Sequence, residues 1–133
     1  MPKKILAVDD DPDILEAVSM ILESQGYEVV TARDGEEGLA KLKAEMPDMM
    51  ILDLLMPKMD GFAVCKELLH PRWAKYRNIH ILILTSVREV ASRRRYELET
   101  GLELDVDDYL EKPFSPDILL ERVDKLIKKK EKA

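Results

Sequence analysis

A chain of 133 residues is about one domain long, and 46% hydrophobic against 36% charged residues excludes a disordered polypeptide. The 21 basic and 27 acidic side chains leave a net charge of −6, which excludes the domain-wide basic footprint of a nucleic-acid binder. The single cysteine, Cys65, excludes an internal disulfide or multi-cysteine zinc site, and the first apolar run meets Asp9 and Asp10 too early for a signal peptide or membrane span, so a cytoplasmic protein is expected.

Short apolar runs then alternate with stretches of helical periodicity along the whole chain. The first run, Ile5 to Val8, precedes a helix with Asp11 as N-cap, Pro12 at its first position, an inward stripe of Ile14, Val18, Ile21 and Leu22, and Gly26 as its stop. Tyr27 to Thr31 form the second run. The helix after it starts near Asp34 and Gly35, turns Leu39 and Leu42 inward and stops before Pro47. Met49 to Leu52 form the third run, followed by a helix from Asp60 through Val64, Leu68 and Leu69 to His70 and Pro71. Ile79 to Leu84 form the fourth run, with a helix expected from about Arg88 to Thr100, ending at Gly101. A weak fifth run around Tyr109 and Leu110 leads, after Ser115 and Pro116, into a last helix with Leu119, Val123, Leu126 and Ile127 on its inner face.

Near-continuous apolar runs fit parallel strands covered on both faces. Strict alternation with right-handed crossovers therefore predicts a doubly wound α/β fold: a five-stranded parallel sheet in the order 2-1-3-4-5 with five helices. Met20, Met46, Met49 and Met50 read as core filler, Cys65 as a buried or half-buried helix residue without redox function, His70 and His80 as structural, and the basic run from Lys128 to Lys132 as a solvated helix end.

In such a sheet ligands bind at the carboxyl ends of the strands, and here those ends are polar. The first run ends in Asp9, Asp10 and Asp11, the third in Asp53, the fourth in Thr85 and Ser86, the fifth in Lys112 and Pro113. The strand order makes the first and third strands neighbours and gathers Asp9, Asp10 and Asp53. Two like charges 4 Å apart repel by about 4 kcal/mol at an effective dielectric of 20, so the cluster calls for a cation. Hard carboxylate oxygens with open positions suit Mg²⁺. Asp11 is explained by helix capping, but one cap needs only one acid, and Asp53 inside an apolar run is costly without a partner.

The strings ILAVDDDPDIL, DLLMPKMDG, ILILTS and DDYLEKPF, in that order from about Lys3 to Ile127, resemble the receiver domain of response regulators, the CheY-like phosphoacceptor module of two-component signalling. The resemblance implies a flavodoxin-like single domain over 1–133 with its core at about 3–127. It implies Asp53 as phosphoacceptor, Mg²⁺ held by Asp9, Asp10, Asp53 and the backbone carbonyl of Leu55, Thr85 as switch hydroxyl, Lys112 as phosphate-binding ammonium and Tyr109 as switch aromatic. A cis bond before Pro113 is a shared feature of the family. The implied partners are a sensor histidine kinase or phosphotransfer protein and a downstream output domain or protein, with no membrane and no direct nucleic-acid contact. The implied chemistry is phosphotransfer to itself and slow autodephosphorylation rather than turnover of a separate substrate. Because the basic opening Met1 to Lys4 leads straight into the first strand, the receiver is expected to open its polypeptide.

Against the family pattern, Thr85 to Lys112 is longer by roughly one helical turn of 3.6 residues. Asp105 and Val106 stand where a Gly-Ala pair is common, and Ser86 where a small residue, often alanine, is expected. The stretch between Leu69 and Ile79, with Trp73 and Tyr76, is also extended. Arg88, Arg93, Arg94 and Arg95 in the longer segment form either a partner contact that disfavours the family's usual dimer or an ordinary solvated face. Two other functions compete: a pseudo-receiver that binds partners without phosphorylation, and a metal-dependent phosphohydrolase. The latter wants a second acid two residues after its nucleophile, where Leu55 stands.

Overall fold

The predicted apolar runs form one parallel sheet ordered β2-β1-β3-β4-β5 in the computed structural model. Its strands are β1 (Lys4–Val8), β2 (Glu28–Ala32), β3 (Met49–Asp53), β4 (His80–Thr85) and β5 (Asp108–Glu111). The structure describes residues 2–76, 78–86, 94, 95, 97, 98 and 106–132. Helix α1 (Pro12–Glu23) connects β1 to β2, α2 (Gly35–Glu45) connects β2 to β3, α3 (Gly61–Leu68) follows β3, and a C-terminal helix spans Pro116–Lys132. The helix expected from about Arg88 to Thr100 falls mostly outside the described residues, although Arg94, Arg95, Glu97 and Leu98 are helical and both arginines are exposed. Arg88, Arg93 and Asp105 lie outside them.

Each described connection starts where the sequence can satisfy free backbone N–H groups. Asp11 accepts from the Asp13 N–H at 2.9 Å, Asp34 from Glu37 at 2.9 Å and Asp60 from Ala63 at 2.8 Å. Ser115 plays the same part for the C-terminal helix, its Oγ accepting from Ile118 at 3.2 Å. After α1 the chain turns back through Gly26, whose φ of 87° is the left-handed region that glycine enters without a steric penalty.

Alternation along the strands divides the core into two layers, as the period of two requires. Ile5, Ala7, Met49, Ile51, Leu82 and Leu84 face α1 and the C-terminal helix, meeting Leu15, Val18, Leu22, Leu119 and Val123. Leu6, Val8, Met50, Leu52, Ile81 and Ile83 face α2 and α3, meeting Leu39, Leu42, Phe62, Val64 and Cys65. Every residue of β3 is buried, so the strand carrying Asp53 is the central one in both sequence and space.

Three expectations need correction. On α1 the buried stripe is Leu15, Val18 and Leu22, while Ile14 and Ile21 are half-buried flanks, because the helix presents its 15-18-22 line squarely to the sheet. Met20 and Met46 are exposed rather than core. Met20 lies on the outer face of α1, and Met46 is the left-handed C-cap of α2 (φ 46°) and is exposed, whereas Met49 and Met50 are buried in the two core layers. Leu69, expected within a helix that runs on to His70 and Pro71, is instead the exposed C-cap of α3, which ends at Leu68. The extended stretch beyond it forms a 3₁₀ helix, Pro71–Tyr76, that buries Trp73.

Candidate functional site

Parallel pairing sets the site. Val8 lies opposite Leu52 in the β1–β3 register, so Asp9 and Asp53, each one residue further on, emerge side by side at the carboxyl end of the sheet. Asp53 in turn lies opposite Leu84, so Thr85 stands one step beyond it on the adjoining strand. Thr85 pairs with Glu111 on β5, and its carbonyl accepts from the Lys112 N–H at 2.7 Å. The Lys112–Pro113 peptide is cis, as the likeness in sequence implied.

These constraints bring the lysine to the acids. Lys112 Nζ lies 2.9 Å from Asp9 Oδ2 and 3.3 Å from Asp53 Oδ1. Both carboxylates are 2% exposed, and the two oxygens facing the ammonium have no access to solvent. The other oxygen of Asp9 accepts from the Asp11 N–H at 3.0 Å, which holds the carboxylate in place at the start of α1. Asp10 is exposed and completes a group of three acids, each offering an oxygen within 4.8 Å of the others. Three carboxylates against one ammonium leave a formal charge of −2. A hard divalent cation matches both that charge and the all-oxygen donor set.

Of the remaining predicted residues, Thr85 is buried, and its hydroxyl donates to the Ser86 carbonyl at 3.3 Å. Leu55 is half-buried in the loop after β3, next to Leu54, whose carbonyl accepts from Gly61 at 2.8 Å. Tyr109 is half-buried against the layer under α2 and α3, away from the acids. Its carbonyl accepts from Arg122 Nη1 at 2.9 Å.

Sequence reasoning missed a brace behind this loop. The Gly35 N–H donates to the Met59 carbonyl at 2.9 Å, and Lys58, at φ 65°, pairs with Asp34 at 3.8 Å, so the start of α2 holds the loop that follows Asp53. Asp34-Gly35 reads as a helix start in sequence, and nothing in that signal says which loop it meets. His80 is likewise structural in a way no spacing revealed: its Nδ1 meets Asp107 Oδ1 at 2.9 Å, while Asp107 also accepts from the Ile81 N–H at 2.8 Å. No helix among the described residues is long and apolar enough to cross a membrane.

The family model for the response regulator receiver domain matches residues 5–124. Among curated proteins, the chain is 46% identical over 129 residues to the probable transcriptional regulator ycf27 of Cyanophora paradoxa, covering 97% of this chain and 50% of that protein. It is 42% identical to the alkaline phosphatase synthesis transcriptional regulatory protein PhoP of Bacillus subtilis, covering 98% and 51%. The chain therefore spans about half the length of the curated relatives it matches. Among solved structures, a putative response regulator from Chloroflexus aurantiacus superposes with a TM-score of 0.80 at 35% identity, covering 96% of this chain and 98% of that one. The chemotaxis response regulator CheY4 of Vibrio cholerae superposes at 0.78 with 33% identity, covering 95% and 99%. A family match over nearly the whole chain, on a 2-1-3-4-5 parallel sheet with acids at its carboxyl edge, makes this chain a member of the response regulator receiver domain family, a two-component signalling protein.

Proposed function

We propose that this receiver, a single domain over 1–133 with its core at about 3–127, accepts a phosphoryl group on Asp53 from a phosphohistidine of a sensor histidine kinase or phosphotransfer protein. The observation that carries the reading is the Lys112 ammonium set between the buried carboxylates of Asp9 and Asp53. An Asp53 oxygen attacks phosphorus, the P–N bond of the phosphohistidine breaks, and a mixed anhydride forms on Asp53 while the proton needed by the leaving imidazole comes from solvent. Lys112 neutralises phosphoryl oxygens as they approach, and Asp53 is held in line by its place at the end of a fully buried strand. Asp9, Asp10, Asp53 and the Leu55 carbonyl would hold Mg²⁺, which supplies countercharge to the incoming phosphoryl group.

Thr85 then donates to the phosphoryl group instead of to the Ser86 carbonyl, and the movement of that loop makes room for Tyr109. This is a shift between two packings driven by contacts that differ between them. The output is a domain or protein that reads the altered surface, with the whole process in the cytoplasm. Transcriptional regulators among the relatives favour an output in gene control carried by a separate domain. A phosphorylation-independent pseudo-receiver is disfavoured by the complete set of acids, hydroxyl and lysine.

Incubation with acetyl phosphate tests the reading: intact mass is expected to rise by one phosphoryl group with Mg²⁺ and to stay unchanged with excess EDTA. Equal phosphorylation with and without metal would overturn the metal assignment. Lys112→Ala should slow phosphorylation roughly 10- to 150-fold, the value of one charge-assisted contact of about 1.5–3 kcal/mol. An unchanged rate would remove the lysine from the chemistry.

Leu55 bears on lifetime. An apolar side chain two residues beyond Asp53 cannot orient a hydrolytic water, so the acyl phosphate is expected to be long-lived; Val87, the matching position beyond Thr85, lies outside the described residues. Leu55→Asn should accelerate phosphate release roughly five- to tenfold, one oriented hydrogen bond being worth about 1 kcal/mol. A time course with no acceleration would refute the water-access argument.

A further inference from the structure

The extended stretch between α3 and β4 is not used by phosphotransfer. Its 3₁₀ helix buries Trp73 to 4% exposure, with the indole N–H donating to Glu67 Oε1 at 2.8 Å and the Arg72 guanidinium pairing with the same carboxylate oxygen at 2.8 Å. From the other side, Lys43 at the end of α2 lies over the Trp73 ring, 4.7 Å from its centroid. Tyr76 meets Trp73 at 5.5 Å between centroids, and Lys75 stands 5.9 Å over the Tyr76 ring. Tyr76, Met46 and Ile79 line an open cavity of about 160 Å³ together with Pro47, Lys75 and Asn78. Met46 is 55% exposed beside it, held there by its left-handed backbone. Met46 and Pro47 precede β3 and Ile79 precedes β4, so this ledge lies at the amino ends of the strands, opposite Asp53 and Thr85.

The geometry points to this ledge as a docking surface for an acidic protein segment that places one large apolar side chain between Met46 and Tyr76. Charge identifies the occupant. Lys75 is an exposed cation in the cavity wall, and Lys43 is an exposed cation over the adjoining Trp73 ring, on a chain of net charge −6; the nearby carboxylate, Glu67, is already engaged by Trp73 and Arg72. A peptide covers only the ledge and meets its positive side, whereas an anionic bilayer would face the acidic remainder of the protein. Trp73 is also turned into the core, so it offers no aromatic anchor to a membrane. The cavity is the size for one large apolar side chain, with Lys75 in its wall to meet an acidic neighbour. Because the surface is at the opposite end of the strands from the acids, its occupancy does not depend on phosphorylation.

Trp73 is the sole tryptophan and packs on Tyr76 of the cavity wall, so its fluorescence follows changes in this part of the chain. The experiment selects 15-residue peptides from a random display library on the wild-type chain, with counter-selection on the Lys43→Glu/Lys75→Glu variant, and titrates the enriched peptides. Expected are sequences rich in Asp and Glu around one Leu, Phe, Ile or Met that shift Trp73 emission saturably and bind Lys75→Glu at least ~10-fold more weakly, with Asp53→Asn unchanged. Lys75→Glu alone leaves the contact of Lys43 with Trp73 intact, so its loss of binding is read without disturbing that packing. No enrichment, neutral or basic winners, or affinity that survives Lys75→Glu would overturn the proposal. So would tighter binding of phosphatidylserine vesicles than of any selected peptide, or a self-association that Lys75→Glu abolishes.

Discussion

Asp53→Asn is expected to abolish phosphorylation by acetyl phosphate outright. The amide is nearly isosteric with the carboxylate, so the strand, the buried position and the approach of Lys112 are preserved, but the neutral amide oxygen is a far poorer nucleophile. The loss is one of chemistry rather than of folding. The same substitution removes one of three anionic donors, so Mg²⁺, expected to raise the Tm of the wild type, should raise that of the variant less. Intact mass after incubation with donor and Mg²⁺ is the measurement. A variant phosphorylated as fully as the wild type would place the acceptor elsewhere.

Gly61→Ala should be the most damaging of the single methyl additions at Gly26, Gly35, Gly38 and Gly61. A Cβ at Gly61 would lie 2.3 Å from the carbonyl oxygen of Asp53 and 2.9 Å from Leu54 Cα, and both obstacles are backbone. No rotamer relieves such a contact. Relief requires pulling the start of α3 away from the end of β3, breaking the bond from the Gly61 N–H to the Leu54 carbonyl. A loss of roughly 3 kcal/mol follows from forced overpacking, which lowers Tm by about 10 °C in a domain of this size. Since the displaced carbonyl belongs to Asp53 itself, phosphorylation should fall as well. Gly26→Ala is the contrasting case: no atom lies within 4 Å of its added Cβ, and only the left-handed φ is penalised, at a cost of about 1 kcal/mol. Thermal melts of the two variants separate the explanations, and equal Tm values would refute the steric account.

The parts of the site that were legible were those set by strand ends. Once β1, β3 and β4 are parallel neighbours, Asp9, Asp53 and Thr85 must share an edge, whatever the helices do. Lys112 follows because it is the residue after Glu111 in the adjoining ladder. The brace from Gly35 and Asp34 to Met59 and Lys58 was not legible, because the two segments are joined only through the packing of α2 on α3. The two misplaced methionines show the same limit. Met20 and Met49 are equally apolar, and only the rotation of α1 about its axis and the burial of β3 on both faces assign one to solvent and the other to the core.

The alternation of strands and helices, the caps at Asp11, Asp34 and Asp60, and the family whose motifs lie at the strand ends were all readable from local pattern, because each depends on periodicity or on hydrogen bonds within a few residues. Packing between distant segments is what sets the Lys112 ammonium between Asp9 and Asp53, joins His80 to the Ile81 amide through Asp107, and builds a ledge from Trp73, Lys43 and Tyr76 beside Met46. Those contacts join residues distant along the chain, and their geometry is set by how layers pack against a twisted sheet, a quantity no local pattern encodes.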